Sequence, residues 1–281
     1  MTTAINNNTS GLFSSTQLQK TNQSLLSSLE KFASGNRITK AADDASGLVI
    51  ADALGSQARG FGISIRNAND AVAIAQVADG ALGQASELIT SIRVQALQAA
   101  NASQSPSSRE AIQSNIQKSL EQLNSLSQTT TYNGQRLLAG GFTDKTFQIG
   151  PTAGETTTLN LGSIQPQQLG DEQLGTLAEV NVLTEEGAQA ALGIADAALA
   201  QVDAMRDEVG ARQNQLNSTI SNLATSRINT LAAESVVRDL DLAEESTNFA
   251  TMESLNKAQI FAATQANSSK KNVINLLQGL F

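Results

Sequence analysis

Residues 68–99 read ANDAVAIAQVADGALGQASELITSIRVQALQA, and in them Ala68, Ala71, Ala75, Ala78, Leu82, Ala85, Ile89, Ile92, Ala96 and Ala99 recur three and four positions apart. A repeat of about 3.5 residues keeps one stripe of a helix against a partner helix, and small alanines let the two backbones approach closely. At ~1.5 Å per residue the stretch implies a helix of about 48 Å, too long and narrow for an ordinary globular core. The matching stripe is Ala188, Ala191, Ala195, Ala198, Val202, Met205 and Val209, continuing past Arg212 to Leu216, Thr219 and Leu223. The expected fold is mainly α: long antiparallel coiled-coil helices forming a rod, with a small β-hairpin region near the middle of the chain.

Composition fits a thin seam better than a thick core. The 281 residues include no Cys, His or Trp and one Tyr, Tyr132. Few bulky aromatics make a deep core hard to fill at normal density, whereas a helix-to-helix seam needs only Ala, Leu, Ile and Val. Without Cys and His, thiol chemistry, imidazole catalysis and most zinc sites are excluded together. The 26 acids exceed the 18 bases, for a net charge of −8, and the bases are dispersed, so no nucleic-acid footprint exists. Residues 1–10 show neither a basic start nor an apolar run, so no cleaved secretory signal is expected, and no window reaches the ~20 apolar residues of a membrane span.

The two ends of the chain resemble each other in character. Residues 1–29 contain one charge, Lys20, yet carry Leu12, Phe13, Leu18, Leu25, Leu26 and Leu29. After Glu253 there is no acid, and Met252, Leu255, Ala262, Ala266, Val273, Leu276 and Leu280 continue the three-and-four spacing. The two segments can cover each other if the chain folds back. Leu26, Ile260, Ile274, Leu277 and Phe281 lie off the main stripes, and one helix pair cannot hide them all. That surplus points to an intermolecular interface.

Between the seams, Ser105-Pro106 breaks the first helix, and Ser107 with Glu110 has capping-box spacing for a second helix carrying Ile112, Ile116, Leu120 and Leu123. Asn133-Gly134 is a turn signal, and alternation at Phe147-Gln148-Ile149 and from Thr156 to Leu161 reads as a small hairpin region at about 132–181. Thr184 followed by Glu185 and Glu186 reads as an N-cap with acids in the first turn of the long C-terminal helix.

No candidate catalytic, cofactor or metal residue emerges. Asp43-Asp44 is an adjacent acid pair, but neighbours on a helix point to different faces, so capping or a salt bridge to Arg37 or Lys40 is expected. Asp203, Arg206 and Asp207 read as a solvated ion-pair face. Phosphate-loop, HExxH, GxSxG and dinucleotide fingerprints are missing, and the chain is not expected to be an enzyme.

Leu29-Glu30-Lys31-Phe32-Ala33-Ser34-Gly35-Asn36-Arg37-Ile38, then Ala41-Ala42-Asp43-Asp44-Ala45-Ser46-Gly47, resembles the N-terminal signature of bacterial flagellin. Arg66-Asn67-Ala68-Asn69-Asp70, Thr131-Tyr132-Asn133-Gly134, Ser226-Arg227-Ile228 and the stretch from Ala266-Asn267 to Asn272-Val273-Ile274-Asn275-Leu276-Leu277 extend the resemblance to both ends.

The resemblance implies a structural subunit that polymerises into the extracellular flagellar filament used for swimming. Residues 1–43 and 239–281 would form the inner tube; 44–183 and 184–238 would form the surrounding rod domain. Rod-seam residues would be Ala75, Ala78, Leu82, Ala85, Ile89, Ile92, Ala195, Ala198, Val202, Met205, Val209 and Leu216. Inner-tube packing would fall to Leu18, Leu25, Phe32, Met252, Leu255, Ala262, Val273, Leu276 and Leu280. The short insert from Gly140 to about Leu183 implies that the large variable outer domains of many flagellins are missing. Implied partners are further copies of the chain, an export chaperone on the C-terminal segment, a filament cap and hook-junction proteins, with no cofactor, no nucleic acid and no membrane insertion. Export would proceed through the flagellar type III apparatus without a cleaved signal. At the positions of the Toll-like flagellin receptor motif stand Ser91, Gln95 and Asn115, with Arg93 as a neighbouring arginine, which implies weak or no activation. Rival readings are a hook-filament junction protein of the same family, a signalling or scaffold coiled coil, and a membrane-active helical toxin. The signalling coiled coil would lack the β insert and the uncharged apolar ends.

Overall fold

A computed structural model of the chain describes residues 8–171 and 173–278, with the side chains of residues 273, 274, 277 and 278 outside that description. Its described elements are α1 (Thr9–Ser34), α2 (Ala45–Ala99), α3 (Pro106–Thr129), β1 (Thr131–Tyr132), β2 (Gln135–Arg136), β3 (Lys145–Gln148), β4 (Thr156–Leu159), β5 (Gly170–Asp171), β6 (Gly175–Thr176), a 3-10 turn (Leu177–Glu179), α4 (Glu185–Arg238) and α5 (Leu242–Gln278). The chain divides into two compact units, residues 1–56 with 229–281, and residues 57–228.

In the second unit the heptad stripe of α2 is sealed. Ala75, Ala78, Leu82, Ala85, Ile89 and Ile92 are fully buried, as are Ala195, Ala198 and Val202 of α4, followed by Val209 and Leu216. Met205 is half-buried against the same cluster. Arg93 pairs with Asp196 and Arg206 with Asp79, so the numbers rise along α2 as they fall along α4, and the two helices run antiparallel. Both pairs are exposed, worth less than about 1 kcal/mol each, and they fix register more than stability. Arg206 therefore reaches across to α2 instead of closing an ion-pair face with Asp203 and Asp207 on its own helix. A guanidinium on a coiled-coil flank meets a carboxylate on the facing helix as easily as one a turn away.

Helix ends follow local chemistry. Ser105, not Ser107, caps α3: its hydroxyl accepts from the Ser108 N–H at 3.2 Å while Pro106 occupies the first turn, where a missing N–H costs nothing. Thr184 Oγ1 accepts from the Gly187 N–H at 3.1 Å and opens α4. Arg109 donates from Nε to the Ala99 carbonyl at 3.0 Å, closing the last turn of α2 as α3 folds back along it.

Between α3 and α4 the described residues form three separate two-stranded antiparallel ladders. Asn133 and Gly134 both have positive φ (49° and 77°), the geometry of a two-residue hairpin turn whose twist matches the strands. Phe147 pairs with Thr157 in the β3–β4 ladder, and Asn67 of α2 donates to the Gln148 carbonyl at 2.9 Å. Leu137, Leu138, Phe142, Leu159, Leu161, Ile164, Leu169 and Leu177 bury themselves in the same cluster as the helical seam. Gln113 of α3 holds the segment leading to α4 with both ends of its amide, donating to the Val180 carbonyl at 3.0 Å and accepting from the Val182 N–H at 2.8 Å.

The first unit has a different character. α1 and α5 pack antiparallel, with Asn8 against Asn267, Asn22 against Asn256 and Ser28 against Glu245. Phe32 meets Phe249 edge to face at 5.9 Å. The links at their base are tied together: Asn36 bridges Asp239, Arg37 N–H donates to the Arg238 carbonyl at 2.7 Å, and Leu240 N–H to Gly35 at 3.0 Å. Gly35 takes φ +69°, the left-handed conformation that ends α1.

Candidate assembly interface

The seam of the α1–α5 pair mixes apolar and polar side chains in about equal number, with Phe32 against Phe249 among the apolar ones. Its inward positions on α1 are Gly11, Ser14, Leu18, Thr21, Leu25, Ser28 and Phe32, and on α5 Glu245, Phe249, Met252, Asn256, Gln259, Ala263 and Ala266. This differs from the stripe read in the sequence, which passed through Leu255 and Ala262. The Asn22–Asn256 and Ser28–Glu245 hydrogen bonds go with a rotation of α5 that keeps Met252 and Ala266 facing in but puts Asn256, Gln259 and Ala263 there in place of Leu255 and Ala262. Gln259 Oε1 is buried without a hydrogen-bond partner, an arrangement that costs about 1–3 kcal/mol.

Many large apolar residues nonetheless face out. Leu12, Phe13, Leu26, Leu29, Leu255, Ile260, Phe261 and Leu276 are all exposed, Phe13 and Phe261 by 73%. Among the described residues, the fully buried apolar side chains of this unit are only Ile38 and Ala51. The exposed set also surrounds the pair. At about 100° per residue, Phe261 lies half a turn-circle from the inward Met252, and Leu12 likewise from Thr21. Leu255 and Ile260 occupy the flanks between. One further helix cannot cover opposite faces of a pair, so shelter on several sides requires several neighbours.

Of the expected packing residues, Leu18, Leu25, Phe32 and Met252 are half-buried in the pair, whereas Leu255, Ala262 and Leu276 are exposed. The Val273 side chain and Leu280 lie outside the described residues. Gln95 Nε2 donates to Ser91 Oγ at 3.1 Å, Arg93 is engaged by Asp196, and Asn115 is exposed. The contribution of the insert to the buried core was missed in the sequence; Leu137-Leu138 and the Leu159, Leu161, Ile164 run were its signal.

Asp43 and Asp44 both serve local turns. Asp43 Oδ2 accepts from the Thr39 hydroxyl at 2.8 Å and from the Thr39 and Lys40 N–H groups at 3.1 and 3.2 Å; Asp44 Oδ1 accepts from Gly47 N–H at 2.9 Å at the start of α2. The Thr39 hydroxyl, more than the backbone donors or the Lys40 charge, holds the Asp43 carboxyl below the usual carboxylate range. Lys40 pairs with Glu30 at 2.8 Å, which raises its pKa, so neither Arg37 nor Lys40 makes a salt bridge to the acid pair. Among the described residues no acidic cluster could hold a metal, and no helix is long and apolar enough to cross a membrane.

Comparison with known proteins points one way. Residues 5–143 match the bacterial flagellin N-terminal helical region and residues 192–277 match the bacterial flagellin C-terminal helical region. Flagellin A of Vibrio anguillarum is 28% identical over 379 residues, covering 99% of this chain and all of the relative. An alignment that long over a chain of 281 residues means the relative carries sequence that this chain skips. Flagellin B of Helicobacter pylori is 43% identical over 63% of this chain and 34% of its own length. A solved structure of a flagellar hook-associated protein from Vibrio parahaemolyticus is similar in fold, with a TM-score of 0.58 at 17% identity over 69% of this chain and 99% of that chain.

Proposed function

The chain belongs to the bacterial flagellin family, structural and non-enzymatic proteins that polymerise into the extracellular flagellar filament, and on that premise we propose how this one assembles. The observation that carries the proposal is the set of large apolar side chains, among them Leu12, Phe13, Leu26, Leu255, Ile260 and Phe261, that the first unit leaves exposed around a pair with almost no fully buried core of its own. Residues 1–43 and 239–281 are the inner-tube segments, in which Leu255, Ala262 and Leu276 pack against neighbouring copies while Leu18, Leu25, Phe32 and Met252 hold the pair together. The sealed seam from Ala75 to Ile92 and from Ala195 to Leu216 is the rod that each copy brings to the polymer. Ordering each terminal residue costs on the order of 1 kcal/mol or more, so the ends become fully helical only as neighbours bury them. Head-to-tail contacts that do not close into a ring give the open helix a filament requires.

The same reading assigns an export chaperone to the C-terminal segment, cap and hook-junction proteins to the growing and anchored ends, and export without a cleaved signal. Contact with the Toll-like flagellin receptor is weak or missing, because Ser91, Gln95 and Asn115 offer no charge and Arg93 is held by Asp196. Deleting residues 250–281 and following seeded elongation by electron microscopy tests the core of the proposal. Loss of elongation is expected, and normal filaments would refute it.

A further inference from the structure

Charges along the α1–α5 pair are sorted by sign. Because Asn8 lies against Asn267 and Ser28 against Glu245, residues near 8 and near 270 share one end of the unit, while Gly35, Asn36 and Asp239 share the other. From the first end through residues 29 and 254 every charged residue of 8–29 and 254–278 is a lysine, Lys270 and Lys271 at the end itself and Lys20 and Lys257 midway along the pair beside Asn22 and Asn256. On the other, residues 30–52 and 229–253 hold ten carboxylates against four basic side chains.

Part of this charge is used within the unit. Glu253 draws Lys257 back at 2.6 Å, Glu30 takes Lys40, and Arg238 is shared by Asp52 and Glu234. Lys271 remains exposed at the basic end, Lys20 midway along α1 and Glu244 toward the acidic end, with no ion pair among the described residues.

We infer that the lysine-only end of this pair docks on the acidic end of a second copy, so that charge sets the direction in which copies stack. The inference rests on the assembly proposed above and adds its polarity. Opposite signs at opposite ends make a head-to-tail contact attractive and both like-ended contacts repulsive, which selects the one arrangement that propagates without closing. The exposed apolar side chains supply adhesion but no direction, since they surround the pair on all sides. Lysines beside exposed leucines would also suit an anionic lipid surface. The acidic end answers to a second copy and would be repelled by such a surface.

The test uses full-length protein and seeded elongation on wild-type filament fragments, followed by light scattering and microscopy at low salt. Two variants are compared, Lys271→Glu and Glu244→Lys; far-UV circular dichroism confirms that each retains wild-type helicity. Each variant alone elongates about tenfold more slowly than wild type. An equimolar mixture recovers, because the reversed basic end of one variant meets the reversed acidic end of the other, and their intact ends meet likewise. Raising salt from about 0.01 M to 0.15 M, where the screening length falls from about 30 Å to 8 Å, narrows the difference. If wild type elongates and the variants match it, or the mixture is no faster than its components, the charge assignment is overturned while assembly stands. If wild type fails to elongate and sediments instead with anionic phospholipid vesicles, both readings fall.

Discussion

Replacing Phe261 by Ala separates the stability of one copy from the stability of the polymer. The ring is 73% exposed and lies opposite the α1–α5 seam, so within a single copy it contributes little. A surface substitution of this kind changes folding stability by less than about 0.5 kcal/mol. Full burial of a phenylalanine is worth ~1.5–3 kcal/mol, and nearly three quarters of the ring surface is still available, so burial by a neighbour supplies about 1–2 kcal/mol per added subunit. The critical concentration for elongation should then rise roughly 5- to 30-fold, while the thermal midpoint of the unpolymerised protein stays within about 2 °C. Sedimentation of seeded samples over a concentration series gives the first quantity, and calorimetry the second. An unchanged critical concentration would show that no neighbour covers this face. A large fall in the thermal midpoint would show that the ring packs within its own copy.

The opposite signature is expected at Leu82, fully buried in the rod seam: Leu82→Ala should destabilise the second unit by roughly 3–5 kcal/mol in urea unfolding, and any assembly defect should follow from that loss. Asp43 makes the link between α1 and α2 sensitive to acid. Its carboxyl is held below its ordinary value of 3.8, so its contribution is complete above that pH and disappears as pH falls through the lowered folded value. Asp43→Asn should therefore flatten this part of the acid limb when unfolding is followed between pH 5 and about 2, and an unaltered limb would argue against the role. Lys40 acts in the other direction, since its pairing with Glu30 stabilises below the ordinary lysine value of 10.5 and fades as pH rises through the raised one.

The sequence by itself determined the two heptad stripes, the turn at Asn133-Gly134, the cap at Thr184 and the surplus of apolar residues at both ends, because each is a local pattern whose period or chemistry has one low-energy solution. The structure decided which face of α5 turns inward. Apolar periodicity favoured Leu255 and Ala262, and the partners supplied by α1, Asn22 to Asn256 and Ser28 to Glu245, go with a face that carries Asn256, Gln259 and Ala263 instead. Such a choice depends on residues more than two hundred positions away, which no local pattern encodes. The burial of Leu137, Leu138, Leu159 and Ile164 against the rod seam was hidden for the same reason: short strands and the loops between them carry no long period, and their core-facing side emerges only once α2, α3 and α4 are packed. Tertiary structure thus turned a count of excess leucines into a geometry, a pair with exposed apolar side chains on every side, because hydrogen-bond partners must be matched one to one while apolar surface can wait for any neighbour.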